Sequence, residues 1–227
     1  MKVIIPAKSS SDRVPNKNWR EFYQGKSLFD IKIFQLLEVF PSHDIYVSCE
    51  DEDRREQVEA YDINFLLRDP RLSSDDAHWS DVVTGIIEQM PCDDSEEVAW
   101  VQLPCPLFDA ECFRKALARW HAIPKDLYDC LITVEKFKDF LVDEAGHPLN
   151  FQFGRWHNVS QDLPNWYLVQ RQFHIMKKAT YLRCNYDIGV SPYLYLVGSP
   201  SVDINQEHEF QYAQHLFNDT SSQAGSQ

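Results

Sequence analysis

Residues 3–18 of the chain read VIIPAKSSSDRVPNKN, and the two halves of this segment differ sharply in character. Residues 3–7 form an apolar run that predicts a short buried strand. The rest is small and polar, with the cations Lys8, Arg13 and Lys17. Small side chains let backbone N–H groups approach an anion, and cations offset its charge. The segment therefore fits a phosphate-binding loop at the edge of a parallel sheet, and equally a solvated β-to-α connection.

The pattern IPAKxxSxxVPxKN at residues 5–18, followed by GKSL at residues 25–28, resembles the N-terminal signature of the acylneuraminate cytidylyltransferases. These enzymes make CMP-sialic acid and related CMP-nonulosonates, and the CMP-Kdo synthetases are more distant relatives. The family pattern runs roughly IPARGGSKxIPxKN and then GKPL. The resemblance implies that the phosphates of CTP are held by Lys8, Arg13 and Lys17. It also implies that the nucleotide is contacted by Ala7, Ser11 and Asn18.

Several positions of this loop depart from the family pattern. Lys8 stands where the family has arginine, which keeps the charge but loses the bidentate fork. Asp12 stands where the family has lysine, a reversal of sign, and the neighbouring Arg13 is a possible substitute. Ser9 and Ser10 replace two glycines, so we expect the loop to be less free to close on a phosphate.

The charge of the chain argues against polymeric nucleic acid as a partner. Its 22 basic and 35 acidic residues give a formal net charge of −13 and a pI near 5.0, without a long basic stripe. One cationic loop can still hold a nucleotide. The sequence contains no apolar run of about 18 residues to span a membrane and no signal peptide before the first strand. The six cysteines form no C-x-x-C pair, which predicts reduced thiols and a cytoplasmic location.

Short strand-like runs alternate with longer helix-like runs, which is typical of βαβ units and a parallel sheet. The predicted strands are 3–7, 44–48, 64–67, 98–103 and 130–134, and the alternation resumes at 188–197. The predicted helices are 28–40, 50–60, 80–90, 110–121 and 207–217. We therefore expect one α/β domain at residues 1–217 and a flexible tail at 218–227. The expected fold is a Rossmann-like, mostly parallel sheet, which the resemblance specifies as the nucleotide-diphospho-sugar transferase type.

Between residues 136 and 181 the alternation breaks, and aromatic residues such as Phe153, Trp156 and Trp166 become frequent. Such an excursion from an α/β core is a cover over the active site, an oligomer surface, or a segment packed on itself. In the family that the chain resembles, the equivalent insertion reaches into the partner subunit's active site. The resemblance therefore implies a homodimer, with the excursion serving both dimerisation and acceptor binding.

Two motifs follow the third and fourth predicted strands. RDPRLSSDDA at residues 68–77 resembles the family's RPxxLSSDxA, where a serine-rich turn helps to bind the nucleotide, so Ser74 and Ala77 are expected there. Without the resemblance, this turn is a good N-cap for the next helix. VQLPCPL at residues 101–107 resembles the family's LQPTSPL and lies where open α/β sheets bind ligands. Gln102 either contacts the base or a sugar hydroxyl, or satisfies a neighbouring backbone group.

Two segments are candidates for the acceptor site. QDLPxxY at residues 161–167 resembles part of the family's acceptor and dimer region, so Gln161 is expected to face the acceptor. Downstream, where the family usually reads ENGxIYI, the chain has QRQFHI at residues 170–175. The glycine is lost and Arg171 is present, a cation that could meet the carboxylate of an acidic sugar.

SVDIN at residues 201–205 resembles the family's SIDID metal site. Carboxylates on alternate residues of an extended segment point the same way and can share Mg²⁺. Here the second position is Asn205, whose amide oxygen can ligate directly or through water but brings no charge. The resemblance implies that Asp203 and Asn205 bind Mg²⁺, with weaker affinity than two carboxylates. A turn role for Asp203 stays open.

The resemblance implies CTP-dependent cytidylyl transfer to an acidic sugar, a nonulosonic acid, with release of pyrophosphate. Positioning and charge neutralisation would promote in-line attack on the α-phosphorus. The residues expected to carry catalysis are Lys8, Lys17 and Asp203. Three alternatives remain: a phosphonate or another 2-keto sugar acid as acceptor, a base other than cytosine, and a non-catalytic homologue that binds nucleotide or a partner.

Overall fold

A computed structural model of the chain describes residues 1–11, 13–74, 76–198 and 201–224. The strands are β1 (Lys2–Pro6), β2 (Glu21–Tyr23), β3 (Lys26–Ser27), β4 (Ile45–Cys49), β5 (Asn64–Leu67), β6 (Glu97–Val101), β7 (Cys130–Phe137), β8 (Trp166–Lys177) and β9 (Pro192–Leu196). The helices are α1 (Leu28–Leu37), α2 (Arg55–Glu59), α3 (Trp79–Glu88), α4 (Ala110–Ala122), α5 (Lys178–Cys184) and α6 (Glu207–Ala224).

The central sheet has seven strands in the order β5-β4-β1-β6-β8-β7-β9, and β2 pairs with β3 in a separate hairpin. Strands β5, β4, β1 and β6 are parallel neighbours, and β9 is parallel to β7. Only β8 runs antiparallel to both of its neighbours, β6 and β7. The chain builds outward from β1 to β5 and then returns to place β6 on the other side of β1. Ligands bind at such a switch point, beside the carboxyl ends of the strands.

Helices cover both faces of the sheet because the side chains of each strand alternate between the faces. In β1, Val3 and Ile5 pack into a core with Phe29 of α1 and Phe113 of α4. Ile4 points to the other face, whose core contains side chains of α3 and α5. A third cluster joins α6 to α1 and the β2–β3 hairpin. Among the described residues, no helix is both long enough and apolar enough to cross a bilayer.

The expected α/β class and the five predicted strands are confirmed, and β5 has the predicted bounds. The helices predicted at 28–40, 80–90 and 110–121 are present as α1, α3 and α4. The predicted helix at 50–60 is shorter: a 3-10 turn at Glu52–Arg54 leads into α2.

The predicted extent of the aromatic excursion is wrong at both ends. β7 continues to Phe137, and β8 supplies an interior strand of the sheet from within the segment that the sequence assigns to the excursion. The irregular part is therefore residues 138–165, with 3-10 turns at Gly154–Trp156 and Ser160–Asp162. An antiparallel strand inserted between β6 and β7 has no local signal that distinguishes it from a surface hairpin.

The predicted end of the last helix at residue 217 is also wrong, because α6 continues to Ala224. Residues 218–224 read NDTSSQA, which is polar but contains no proline or glycine to stop a helix. The part of the predicted flexible tail at 225–227 lies outside the described residues.

Candidate active site

A cleft of about 690 Å³ opens at the carboxyl ends of β1 and β6. Side chains from distant parts of the sequence meet there, including the loop after β1, the turn before α3 and the segment before α6. The predicted site residues that line it are Lys8, Ser11, Arg13, Lys17, Asn18, Ser74, Ala77, Gln102, Arg171, Asp203 and Asn205. Four of the motifs singled out in the sequence, at residues 5–18, 68–77, 101–107 and 201–205, therefore converge on one surface.

Two predicted site residues, Ala7 and Gln161, are absent from the described cleft wall. Ala7 is fully buried, and its N–H donates to the carbonyl of Ser48 at 2.8 Å, so it anchors the start of the loop. Gln161 is exposed in the 3-10 turn at Ser160–Asp162 and is absent from the residues that line the cleft. Asp12 lies outside the described residues.

The loop after β1 is fastened at both ends. The side chains of Asn18 and Trp19 donate to the carbonyl of Lys8 at 3.2 and 3.1 Å, so hydrogen bonds connect the end of the loop to its start. Val14, at the middle of the loop, is fully buried in the cluster that α6 covers. The loop is therefore packed against the rest of the fold. It is more than the solvated β-to-α connection that the sequence also allowed.

Lys17 connects this loop to the segment before α6. Its Nζ donates to the carbonyl of Ile204 at 2.5 Å. Burial lowers the pKa of Lys17, while the neighbouring Asp203 carboxylate acts in the opposite direction. The predicted phosphate-binding lysine and the predicted metal-binding aspartate are therefore electrostatic neighbours.

Glu50, which follows β4 directly, joins three segments around the cleft through one carboxylate. Oε1 accepts from the N–H and the hydroxyl of Ser9 at 2.8 and 2.6 Å. Oε2 accepts from Ser73 at 2.9 Å and from Arg68 at 2.8 Å. Burial alone would raise the pKa of Glu50, but the hydrogen bonds, led by those from Ser9, outweigh it and lower the pKa to about 2.

Glu50 and Arg68 belong to the site, although the sequence motifs did not identify either as a site residue. Arg68 lines the cleft, and its side chain is only 4% exposed. It lies within the RDPRLSSDDA motif, and Glu50 occupies the carboxyl end of a parallel strand, as Gln102 does. The position rule that pointed to Gln102 would also have pointed to Glu50, which the sequence pattern instead placed at the start of the predicted helix at 50–60.

The strand β8 brings Arg171 to the cleft beside Gln102. The N–H of Gln102 donates to the carbonyl of Gln172 at 3.3 Å, which continues the β6–β8 pairing past the end of β6. The Arg171 side chain lines the cleft, and its Nη2 donates to the hydroxyl of Tyr186 at 2.7 Å.

The segment 201–205 has the geometry that its sequence predicts for paired ligands. Val202 and Ile204 are buried, whereas Asp203 and Asn205 line the cleft, and Nδ2 of Asn205 lies 3.1 Å from Oδ2 of Asp203. Rotation of the amide about its Cβ–Cγ bond would present its oxygen beside the carboxylate. Hard oxygen donors of this kind suit Mg²⁺, which commonly uses one or two carboxylates, substrate phosphates and water. The donor set therefore fits the expected cation.

Comparison with known proteins agrees with this geometry. Residues 2–138 match the family model described as cytidylyltransferase. The chain belongs to the cytidylyltransferase family. The resemblance inferred from its N-terminal signature is thereby confirmed at family level.

Two relatives of the chain are the N-acylneuraminate cytidylyltransferases of Streptococcus agalactiae serotypes V and III. Each is 27% identical to it over 222 residues, which cover 95% of this chain and 53% of the relative. The chain therefore spans about half the length of the curated relatives that it matches.

Solved structures show that the fold is shared more widely. A CMP:2-keto-3-deoxy-manno-octonic acid synthetase complexed with CTP superposes with a TM-score of 0.66 at 13% identity, covering 96% of this chain and 98% of that one. The 4-diphosphocytidyl-2C-methyl-D-erythritol synthase of Anaerococcus prevotii gives a TM-score of 0.65 at 10% identity, with the same coverage. The Rossmann-like, mostly parallel architecture is thus that of this nucleotidyltransferase fold.

The electrostatics of the cleft differ from those of the chain as a whole. Among the described residues that line it, five are cationic and only Asp203 carries a carboxylate. The cations are Lys8, Arg13, Lys17, Arg68 and Arg171. A chain with a net charge of −13 therefore presents a locally positive surface at the switch point of its sheet, which suits a polyanionic ligand.

Proposed function

We propose that the chain transfers the cytidylyl group of CTP to an acidic acceptor and releases pyrophosphate. The observation that carries this proposal is the convergence of four motifs that resemble the family's, at residues 5–18, 68–77, 101–107 and 201–205, in one cationic cleft. An acidic 2-keto sugar of the nonulosonic class is the proposed acceptor, because the relatives are N-acylneuraminate cytidylyltransferases by name.

The proposed reaction needs no covalent intermediate with the protein. A hydroxyl oxygen of the acceptor attacks the α-phosphorus of CTP, the new P–O bond forms, the bond to the bridging oxygen of the β-phosphate breaks, and the hydroxyl proton is released to solvent. Lys8, Arg13 and Lys17 would hold the phosphates in line and offset the charge of the departing pyrophosphate. Gln102 would contact the base or the acceptor from the end of β6.

Asp203 and Asn205 are the proposed Mg²⁺ ligands, and the cation when bound would neutralise charge on the triphosphate. Lys17 helps to hold the two proposed ligands in place. Its hydrogen bond to the carbonyl of Ile204 fixes the backbone between the two ligands. Loss of the Asp203 carboxylate should therefore remove the only negative charge that the described cleft lining offers a cation.

The test is pyrophosphate release with Mg²⁺ and each of the four nucleoside triphosphates, against a panel of 2-keto sugar acids and phosphonates. Release with CTP and a sugar acid is expected. Release with CTP and only a phosphonate would keep the reaction and change the acceptor class. Silence across a panel on which an N-acylneuraminate cytidylyltransferase is active would contradict the proposed activity. Thermal stabilisation by CTP would then indicate a non-catalytic, nucleotide-binding homologue.

We also propose that the chain forms a homodimer through residues 138–165 and the outer half of the β7–β8 ribbon. Large apolar side chains are unusually exposed there: Trp156 is 75% exposed and Phe153 is 62% exposed. Along β8, the side chains from Trp166 to Val169 are exposed in succession, so both faces of the ribbon are open to solvent. Apolar surface of this kind is typical of a protein interface.

A further inference from the structure

Arg171 lies at an irregularity of β8 that re-aims its side chain. The β7–β8 pairing passes from Ile132 opposite His174 to Val134 opposite Val169, so residues 170–173 of β8 correspond to Thr133 alone. Extra residues of this kind redirect side chains and occur often beside active sites. Because β8 adjoins the carboxyl end of β6, this bulge carries Arg171 into the cleft wall.

Two aromatic rings and a hydroxyl hold the guanidinium of Arg171. Its Cζ lies 5.0 Å from the ring centroid of Trp79 and 5.7 Å from that of Tyr186. Its Nη2 donates to the Tyr186 hydroxyl at 2.7 Å. Cation–π contacts and a hydrogen bond together restrict the rotamers of a side chain that is otherwise flexible.

The buried carboxylate of Asp187 holds the Trp79 ring in place and lies near the guanidinium of Arg171. Asp187 is fully buried, and its Oδ1 accepts from Nε1 of Trp79 at 2.9 Å. Its Oδ2 lies 3.5 Å from Nδ1 of His174 and 3.9 Å from Nε of Arg171. The carboxylate therefore positions the Trp79 ring and attracts the guanidinium without a direct hydrogen bond to it.

The guanidinium keeps hydrogen-bonding capacity for a ligand. The Arg171 side chain is 38% exposed, and its one hydrogen bond among the described residues is the bond to Tyr186. A guanidinium carries five N–H donors in a planar fork that matches carboxylate and phosphate oxygens. An arginine needed only to neutralise Asp187 would be expected at hydrogen-bond distance from that carboxylate, whereas the measured separation is 3.9 Å.

We propose that Arg171 binds the anionic group of the acceptor, a carboxylate or a phosphonate, and that Trp79, Tyr186 and Asp187 position its guanidinium. This inference rests on the proposed cytidylyl transfer. The loop after β1 supplies separate cations for the triphosphate, so the cation on β8 is free to select the second substrate. The Trp79 ring and the nearby Leu72, Ala77 and Val82 give this part of the cleft an apolar wall beside the charge.

The experiment measures the affinity of two acid–ester pairs by calorimetry: N-acetylneuraminate with its methyl ester, and 2-hydroxyethylphosphonate with its dimethyl ester. The proteins are the wild type, Arg171→Gln, Arg171→Lys and the control Arg183→Gln, which removes an exposed arginine paired with Asp129 at 3.1 Å. The wild type should bind one of the acids about ten- to a hundredfold more tightly than its ester. Arg171→Gln should abolish that preference, Arg171→Lys should restore part of it, and Arg183→Gln should retain it.

Which acid shows the preference identifies the anion as carboxylate or phosphonate. A preference that survives in Arg171→Gln, or its absence from the wild type for both pairs, would overturn the proposal. If Arg171→Gln weakened the binding of CTP and not that of the acid, the proposal would also be overturned, because Arg171 would then belong to the triphosphate site. Pyrophosphate release and CTP binding by the wild type are measured in parallel. If both fail while the Arg171-dependent preference persists, the transfer reaction is wrong and the anion site stands.

Discussion

Glu50 connects the loop after β1 to the segment before α3, because its carboxylate accepts hydrogen bonds from Ser9, Arg68 and Ser73. Its side chain is 12% exposed, and its pKa is lowered from 4.5 to about 2. A lowered carboxyl pKa stabilises the fold at pH above 4.5, and this contribution disappears as the pH falls through 2. We expect Glu50→Gln to remove up to about 3 kcal/mol of stability at neutral pH.

Urea unfolding at several pH values between 2 and 7 measures this effect. The wild-type stability should fall more steeply than that of Glu50→Gln as the medium is acidified. Glu52→Gln, which changes an exposed carboxylate two residues away, is the control and should follow the wild type closely. Parallel pH curves for wild type and Glu50→Gln would show that the Glu50 network does not contribute to the fold.

Asn205 is the position where a single atom replacement tests the proposed metal site. Asn205→Asp places a second carboxylate beside Asp203, where the amide nitrogen now lies 3.1 Å from Oδ2. The added charge should lower the Mg²⁺ concentration that gives half-maximal activity by roughly tenfold, since Mg²⁺ prefers anionic oxygen ligands. Asp203→Ala should abolish turnover with an unchanged melting temperature. An unaltered Mg²⁺ titration in Asn205→Asp would place the cation elsewhere.

At the residue scale, the motifs predicted most of the cleft lining but not the groups that support it. Lys8, Lys17 and Asp203 lie in segments whose order of residue types resembles a family pattern. Glu50 lies in the acidic run EDED at residues 50–53, directly after β4, where Asp51 and Glu52 have the same local character. The position of Glu50 at the carboxyl end of β4 could have pointed to it, but its hydrogen bonds to Ser9 and Ser73 depend on a tertiary approach that no local pattern encodes.

At the scale of elements, α1 holds the loop after β6 through a buried lysine. Nζ of Lys32 donates to the carbonyls of Cys105 and Phe108 at 2.9 and 2.7 Å. Burial lowers the pKa of Lys32 from 10.5 to about 8. Between these two pH values the unfolded chain binds more protons than the folded one, so this residue makes stability rise with pH. We expect the stability of wild type relative to Lys32→Met to increase by about 3 kcal/mol from pH 7.5 to 10.5.

Denaturant unfolding of both proteins across that range measures the difference, in which pH effects from other groups cancel. Lys178→Met is the matched control, because Lys178 also donates to two carbonyls, at Met90 and Cys92, but is only partly buried. Its stability difference from wild type should change less with pH. A constant difference for Lys32→Met would mean that the lysine is protonated throughout the range.

Strand β8 shows why an element can escape prediction from sequence. Its inner half places Gln172 and His174 in the buried interior, so polar residues interrupt the apolar pattern that marks the other strands. Its outer half is exposed on both faces, which removes the alternation. The bulge at residues 170–173 adds a shift of register. The bulge places Arg171 in the cleft wall, and binding sites are where rules based on packing are expected to fail.

At the scale of the whole molecule, exposed large apolar side chains are concentrated, among the described residues, in the excursion at 138–165 and the adjoining residues 166–169, none of which lines the cleft. Burial of one large apolar side chain contributes about 1.5–3 kcal/mol, so several such residues suffice for a stable contact between two copies.

Phe153→Asp should therefore weaken self-association by about tenfold or more. Sedimentation velocity over a range of concentrations measures the monomer–dimer equilibrium. Leu127→Asp is the control, because Leu127 is also 62% exposed but lies outside the excursion. Equal behaviour of the two variants, or a monomeric wild type at all concentrations, would contradict the proposed dimer.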